Sequence, residues 1–151
     1  GVSNFTPERL VDLCMNQEFK PMVNQIEIHP FFQQNTALRV MEDYGVVPQA
    51  WGPLSEAQKD IFNHKTLAKI ADRHGKTAAQ VILRWHLQRK IPTIPKTVHR
   101  GRMAENLDVF DFELTAKEME SIAGMDIGHS EIIDHHCFCT ARQLNSVKIH
   151  T

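Results

Sequence analysis

Short apolar runs alternate with helix-period segments along most of this chain, and nearly every run ends in a Gly, Pro or small polar turn. That alternation constrains the fold most. Strand-helix repeats of this kind build a parallel sheet with crossover helices rather than hairpins or a bundle. Gly1-Val2 reads as the last stub of a strand. Val23-Asn24-Gln25-Ile26-Glu27-Ile28 is strand-like and ends at His29-Pro30. Val46 to Trp51 is the next strand, closed by Gly52-Pro53, and Ile91 to Ile94 is a short fourth, closed by Pro95-Lys96. About four βα units make half of an eight-fold barrel, a fold that needs about 250 residues when whole. Periodicity alone equally describes a small doubly wound sheet. No Gly-x-Gly-x-x-Gly follows any strand, which weighs against the dinucleotide-binding version of that sheet.

The helices between the strands announce their ends. Thr6 is an N-cap with Pro7 at the first helical position, opening a helix through about Cys14. Thr36 to Tyr44 reads as a helix stopped by Gly45. Ser55 to Asn63 reads as a loop. Leu67, Ile70 and Ala71 mark an amphipathic helix that stops near Gly75. Thr77 and Gln80, and again Thr115 and Glu118, have the spacing of capping boxes. The first opens a helix carrying Val81, Leu83, Trp85 and Leu87, and the second a helix to about Ala123. Arg102 to about Asp108 is a further helix. From Asp126 onward no period is strong. No internal repeat, linker or domain boundary interrupts residues 1–151, so the expectation is one partial domain.

Charge excludes some partners. The net charge of −1 gives no electrostatic reason to expect nucleic acid or an anionic membrane. No apolar run approaches the roughly 20 residues that span a bilayer. Three cysteines, Cys14, Cys137 and Cys139, with no secretory signal at the start, predict reduced thiols and a cytoplasmic setting.

The strand ends carry a resemblance. Gly1-Val2-Ser3-Asn4-Phe5, Asn24-Gln25-Ile26-Glu27-Ile28-His29-Pro30, Ala50-Trp51-Gly52-Pro53-Leu54 and Ile94-Pro95-Lys96-Thr97-Val98 resemble successive strand ends of the aldo-keto reductases. Arg102, Glu105-Asn106 and Val109-Phe110-Asp111-Phe112 continue the match. The ordered set covers almost the whole chain. Trp51-Gly52-Pro53 most resembles the bacterial branch that includes diketogluconate reductases. The resemblance implies the C-terminal half of a (β/α)8 TIM barrel, paired with another half or chain. It also implies NADPH as cofactor and a small aldehyde or ketone as the complete parent's substrate.

Residue roles follow from the resemblance. Ser3, Asn4 and Gln25 match positions that hydrogen-bond the nicotinamide carboxamide, a neutral group that needs placed donors and acceptors rather than charge. Trp51 matches the aromatic residue stacked on the nicotinamide. Gly52 stands where many relatives have Ser, so this chain lacks one side-chain hydrogen bond to the cofactor. Pro53 and Leu54 match the start of the loop beside the pyrophosphate. Lys96, Thr97, Val98 and Arg102 match the site of the adenosine 2′-phosphate, where two cations and a hydroxyl suit a doubly charged group. Arg102 is the sequence reason to prefer NADPH over NADH. Glu105 and Asn106 match the adenine-contacting pair.

The family's catalytic Asp, Tyr, Lys and His have no counterparts among the matched blocks, so no catalytic residue is assigned. Tyr44 is the only tyrosine and falls in a helix expected outside a barrel. His29 belongs to a different block from the family's catalytic histidine. The chain alone is therefore expected to be inactive.

Each assignment has a plainer alternative. Ser3-Asn4 can be a polar turn, Gln25 a satisfied core amide, Trp51 barrel packing, and Lys96 and Arg102 solvated charges. Trp85 and Leu87 read as helix core, and Arg84 and His86 as structural. Asp134-His135-His136-Cys137 matches a palmitoyltransferase signature, but the spans and cysteine-rich domain of those membrane enzymes are missing. A metal site from His129, His135, His136, Cys137 and Cys139 fits no familiar zinc spacing, so no metal is assigned. In relatives this tail helps shape the substrate pocket, and Gly128-His129-Ser130 and Leu144 to His150 look family-like. Two functions remain. The chain is an enzyme or part of one, or it is a non-catalytic half-barrel that binds nucleotide or self-associates through its open sheet edges.

Overall fold

Three of the expected strands assemble into one parallel sheet. In the computed structural model, which describes residues 1–130, 132–135 and 137–147, β1 (Val2–Ser3), β2 (Val23–Glu27) and β3 (Val47–Trp51) lie in the order β1-β2-β3. The register sets Ser3 beside Gln25, Gln25 beside Gln49, and Glu27 beside Trp51. Because side chains alternate along a strand, the sheet has two unlike faces. Ile26 and Ala50 point into the apolar core and are buried. Ser3, Gln25, Gln49 and Trp51 lie on the opposite face and stay exposed or half-exposed.

The fourth strand is a correction. Ile91 to Ile94 does not form a strand. It makes a single parallel bridge, Thr93 to Ala50, with Ala50 N–H donating to Pro92 O at 2.9 Å. Pro92 and Pro95 flank that bridge and have no N–H to give, so the ladder stops after one rung. The expected four βα units are three strands and one bridge.

The helices follow their caps closely. α1 (Pro7–Asn16) starts where Thr6 Oγ1 accepts from Arg9 N–H. α2 (Asn35–Tyr44) and α3 (Lys65–His74) stop at Gly45 and Gly75, whose φ of 69° and 61° costs a glycine little. α4 (Ala78–Gln88) and α6 (Ala116–Ala123) both show complete capping boxes. α5 runs from Arg100 to Leu107, two residues earlier than expected. The expected loop Ser55–Asn63 is a run of 3-10 turns broken at residues with positive φ, among them Glu56, Ala57 and Lys59.

α4 is the most deeply buried helix. Val81, Ile82, Leu83, Trp85 and His86 are all within 2% of full burial. Each apolar side chain so buried contributes about 1.5–3 kcal/mol. Leu87 is half-buried at the margin of this core. Arg84 bonds Gln88, Val109 O and Glu113, the structural role expected of it.

The tail holds two departures. α7 (Phe138–Ser146) forms where no period was visible, and none of its residues is buried. A helix that packs no face on the core has no reason to show an apolar stripe. Cys137 and Cys139 are joined in a disulfide, while Cys14 is free and buried. The expectation of three reduced thiols is thus overturned for the tail pair. One intervening residue at a helix start leaves their Cα atoms 5.3 Å apart, inside the range a disulfide bridges.

Candidate functional site

The C-terminal ends of the strands gather four of the expected site residues into one hydrogen-bonded cluster. Asn4, directly after β1, has φ 54°, a left-handed conformation that asparagine tolerates better than most residues. That bend brings Asn4 Oδ1 to the Trp51 indole, whose Nε1–H donates at 2.7 Å. Asn4 Nδ2 donates to Ser3 Oγ at 3.0 Å, and Ser3 Oγ–H to Gln25 O at 3.3 Å. Gln25 Nε2 donates to Gln49 Oε1 at 2.6 Å. Behind the cluster, Asn24 exchanges hydrogen bonds with the backbone of Phe5, fixing the turn that carries Asn4.

The remaining expected residues line a cleft of about 770 Å³ beyond the end of β3. Gly52, Pro53, Leu54, Lys96, Thr97, Arg102, Glu105 and Asn106 all line it. Val98 does not, and is 81% exposed. Gly52 turns at φ 56°, and Ser55 N–H closes the turn onto Gly52 O at 2.7 Å. Any larger residue at that φ is strained. Thr97 Oγ1 accepts from His99 N–H, at the start of α5. Glu105 accepts from Thr77 Oγ1–H at 2.6 Å, tying α5 to the N-cap of α4. Lys96 and Arg102 are exposed and, among the described residues, make no hydrogen bond or ion pair. Two free cations, a hydroxyl and a helix start around one cleft suit a phosphate group.

A second cleft of about 310 Å³ lies at the other side of the strand ends, lined by Asn4, Glu27, Ser130 and His135 among others. Glu27 is buried, 2.9 Å from His29 Nε2, and accepts from Ser130 Oγ–H at 2.6 Å. Ser130 Oγ in turn accepts from the backbone of Ile132 and Ile133. These bonds fasten the tail to the end of β2, and the His135 ring then meets Trp51 edge-on with centroids 6.1 Å apart.

His86 ties α4 to Ile28, the residue that follows β2. Its ring is fully buried on α4, with Nε2 2.9 Å from Ile28 O and Nδ1 2.9 Å from Ile82 O. Burial lowers its pKa to about 4, against the two carbonyls, which favour the cation. The ring is neutral near neutral pH and donates to one of them.

Sequence reasoning missed Gln49, Glu27 and Ser130. The signal for Gln49 and Glu27 was present as polar residues at alternate strand positions, 25, 27 and 49, on one face of the sheet. Ser130 stood in the family-like Gly128-His129-Ser130 stretch, but nothing local pointed to its partner, which lies 103 residues away. Tyr44 lies at the end of α2, before the start of β3, with Lys20 Nζ 5.6 Å from its ring. It sits at the opposite end of the sheet from the site. No group of three His, Cys, Asp or Glu placed to hold a metal ion occurs among the described residues. His136, part of the metal alternative, and residues 148–150 of the family-like stretch lie outside them. No helix among the described residues is long and apolar enough to cross a membrane.

The chain belongs to the aldo/keto reductase family, whose model matches residues 1–127. It is 43% identical over 123 residues to a 9,11-endoperoxide prostaglandin H2 reductase of Trypanosoma cruzi, covering 81% of this chain and 44% of that protein. It is 42% identical over 126 residues to a glyoxal reductase of Bacillus subtilis, covering 83% and 45% respectively. Among solved structures, a Gox0644 variant in complex with NADPH matches with a TM-score of 0.84 and 38% identity, over 99% of this chain and 51% of that one. The chain therefore spans about half the length of the relatives it matches.

Proposed function

We propose that this chain is the cofactor-holding half of an NADPH-dependent aldo-keto reductase, a C-terminal half-barrel whose complete parent reduces small aldehydes and ketones to alcohols. One observation carries the reading. Of the residues that the family resemblance assigns to the 2′-phosphate and adenine, all but Val98 line one cleft, and its two cations have no hydrogen-bond or ion-pair partner among the described residues. Arg102 and Lys96 bind the phosphate, Glu105 and Asn106 the adenine, and Pro53 and Leu54 border the pyrophosphate. Ser3, Asn4 and Gln25 orient the nicotinamide carboxamide, and Trp51 covers one face of the ring. Bound NADPH supplies hydride to the substrate carbonyl. The chain itself offers no tyrosine near the strand ends to protonate the alkoxide oxygen that hydride addition leaves, so alone it is inactive.

Indole N–H resonances test the binding reading, because the chain has two tryptophans and only Trp51 is at the site. NADPH should shift the Trp51 indole signal and leave buried Trp85 in place. An unmoved Trp51 at saturating NADPH would refute the cofactor role. Robust carbonyl turnover by the 151-residue chain of verified mass would refute its inactivity.

A second reading rests on the uncovered face of the sheet. Val47 of β3 is 45% exposed, and among the described strands β1 is an edge, paired with β2 alone. Such edges pair with other chains, so the half-barrel self-associates. Light scattering at micromolar concentration should return a mass above the monomer, and a clean monomer would count against it.

A further inference from the structure

We propose that Cys137 and Cys139 form a thiol–disulfide exchange site for small aliphatic thiols, with Cys139 the sulfur attacked and Cys137 the sulfur released. The pair is joined across one residue, Phe138, itself 83% exposed. A cross-link this short removes little freedom from the unfolded chain, so it holds little of the fold together. It also lies on the tail, where no residue of α7 is buried. A disulfide that is exposed and structurally dispensable belongs to the labile class.

The two sulfurs are not equivalent. Cys139 is exposed and Cys137 half-buried, so an incoming thiolate reaches Cys139 first. Cys137 is the N-cap of α7, and its Sγ accepts from Cys139 N–H at 3.3 Å. The same residue is held from both sides, by its own N–H on Asp134 O and by Ala141 N–H on its carbonyl. A thiolate released on Cys137 therefore faces a backbone donor at the positive end of a nine-residue helix, the setting that lowers a thiol pKa and makes a good leaving group.

The chemistry balances. A thiolate RS⁻ attacks Cys139 Sγ, the Cys137–Cys139 bond breaks, and its electron pair leaves on Cys137 Sγ. The product is an R–S–S–Cys139 mixed disulfide. A second RS⁻ attacks the R sulfur, forming RSSR and releasing the Cys139 thiolate. Both protein thiolates take protons from water. The protein disulfide is reduced and two thiols are oxidised, and the reverse reaction closes the bond with RSSR as oxidant. The site stands two residues beyond His135, whose ring touches Trp51, on the segment that Ser130 fastens to Glu27.

Glutathione serves as the probe on the full chain. Reduced chain incubated with oxidised glutathione should become two hydrogens lighter, with the bond mapped to the Cys137–Cys139 peptide and Cys14 left free. Oxidised chain treated briefly with reduced glutathione and quenched with iodoacetamide should carry glutathione on Cys139 and the alkyl group on Cys137. That arrangement should exceed its reverse about tenfold and fall to near parity in denaturant. Three unmodified thiols after oxidised glutathione, or an adduct divided evenly or favouring Cys137 in the folded chain, would overturn the proposal.

Discussion

At the strand ends, Trp51, Asn4, Ser3 and Gln25 are already bonded to one another, with Trp51 Nε1 2.7 Å from Asn4 Oδ1. Across the cleft, Lys96 and Arg102 are exposed and bond no described residue. The difference follows the chemistry each end is suited to hold. A carboxamide is neutral, so side chains that satisfy each other can exchange one bond for another at little cost. A phosphate is charged, and cations already paired with carboxylates would have to break those pairs first. On the proposed reading, the nicotinamide end is thus built in advance by the sheet register, and the phosphate end is kept open.

Four changes probe that contrast, the largest first. His86 ties α4 to Ile28, just after β2, through Ile28 O. Its folded pKa of about 4 lies below the ordinary value near 6.5, so the unfolded chain binds the proton more tightly. Stability is full above about pH 6.5 and is lost as pH falls toward 4, by about 3 kcal/mol at the lower limit. Urea unfolding at pH 7 and pH 4 should show the loss, and His86→Gln should flatten it. Next, Arg102→Ala should weaken NADPH by about 2 kcal/mol, a charged hydrogen bond's worth, and leave NADH unchanged. Trp51→Phe keeps an aromatic face but loses the bond to Asn4. It should cost about 1 kcal/mol for both nucleotides equally, as read by calorimetry. Ser3→Ala removes two exposed bonds, one from Asn4 Nδ2 and one to Gln25 O, and should cost about 0.5 kcal/mol for either nucleotide. Equal effects of Arg102→Ala on NADPH and NADH would erase the contrast.

The sequence made some of this legible and not the rest. Caps and glycine stops marked α1, α3, α4 and α6 because they act within one helical turn. The strand ends were legible through family blocks, and the cleft joins residues 52–54 with 96, 97, 102, 105 and 106 as those blocks imply. The Ile91 to Ile94 run was misread because β-branched residues favour a strand while Pro92 and Pro95 remove its donors. α7 left no pattern because it buries nothing. The Glu27–Ser130 bond was missed because a pair that meets across the whole chain leaves no local spacing to read. The tail disulfide was missed because an odd cysteine count says nothing about which two meet.

The central claim is that the free cations of the open end recognise the 2′-phosphate that distinguishes NADPH from NADH. Fluorescence titration of the purified chain with both nucleotides tests it most directly. The account predicts NADPH binding in the micromolar range with NADH at least about tenfold weaker, since one charged hydrogen bond carries roughly that much. Equal affinity for the two, or no binding of NADPH at all, would contradict it.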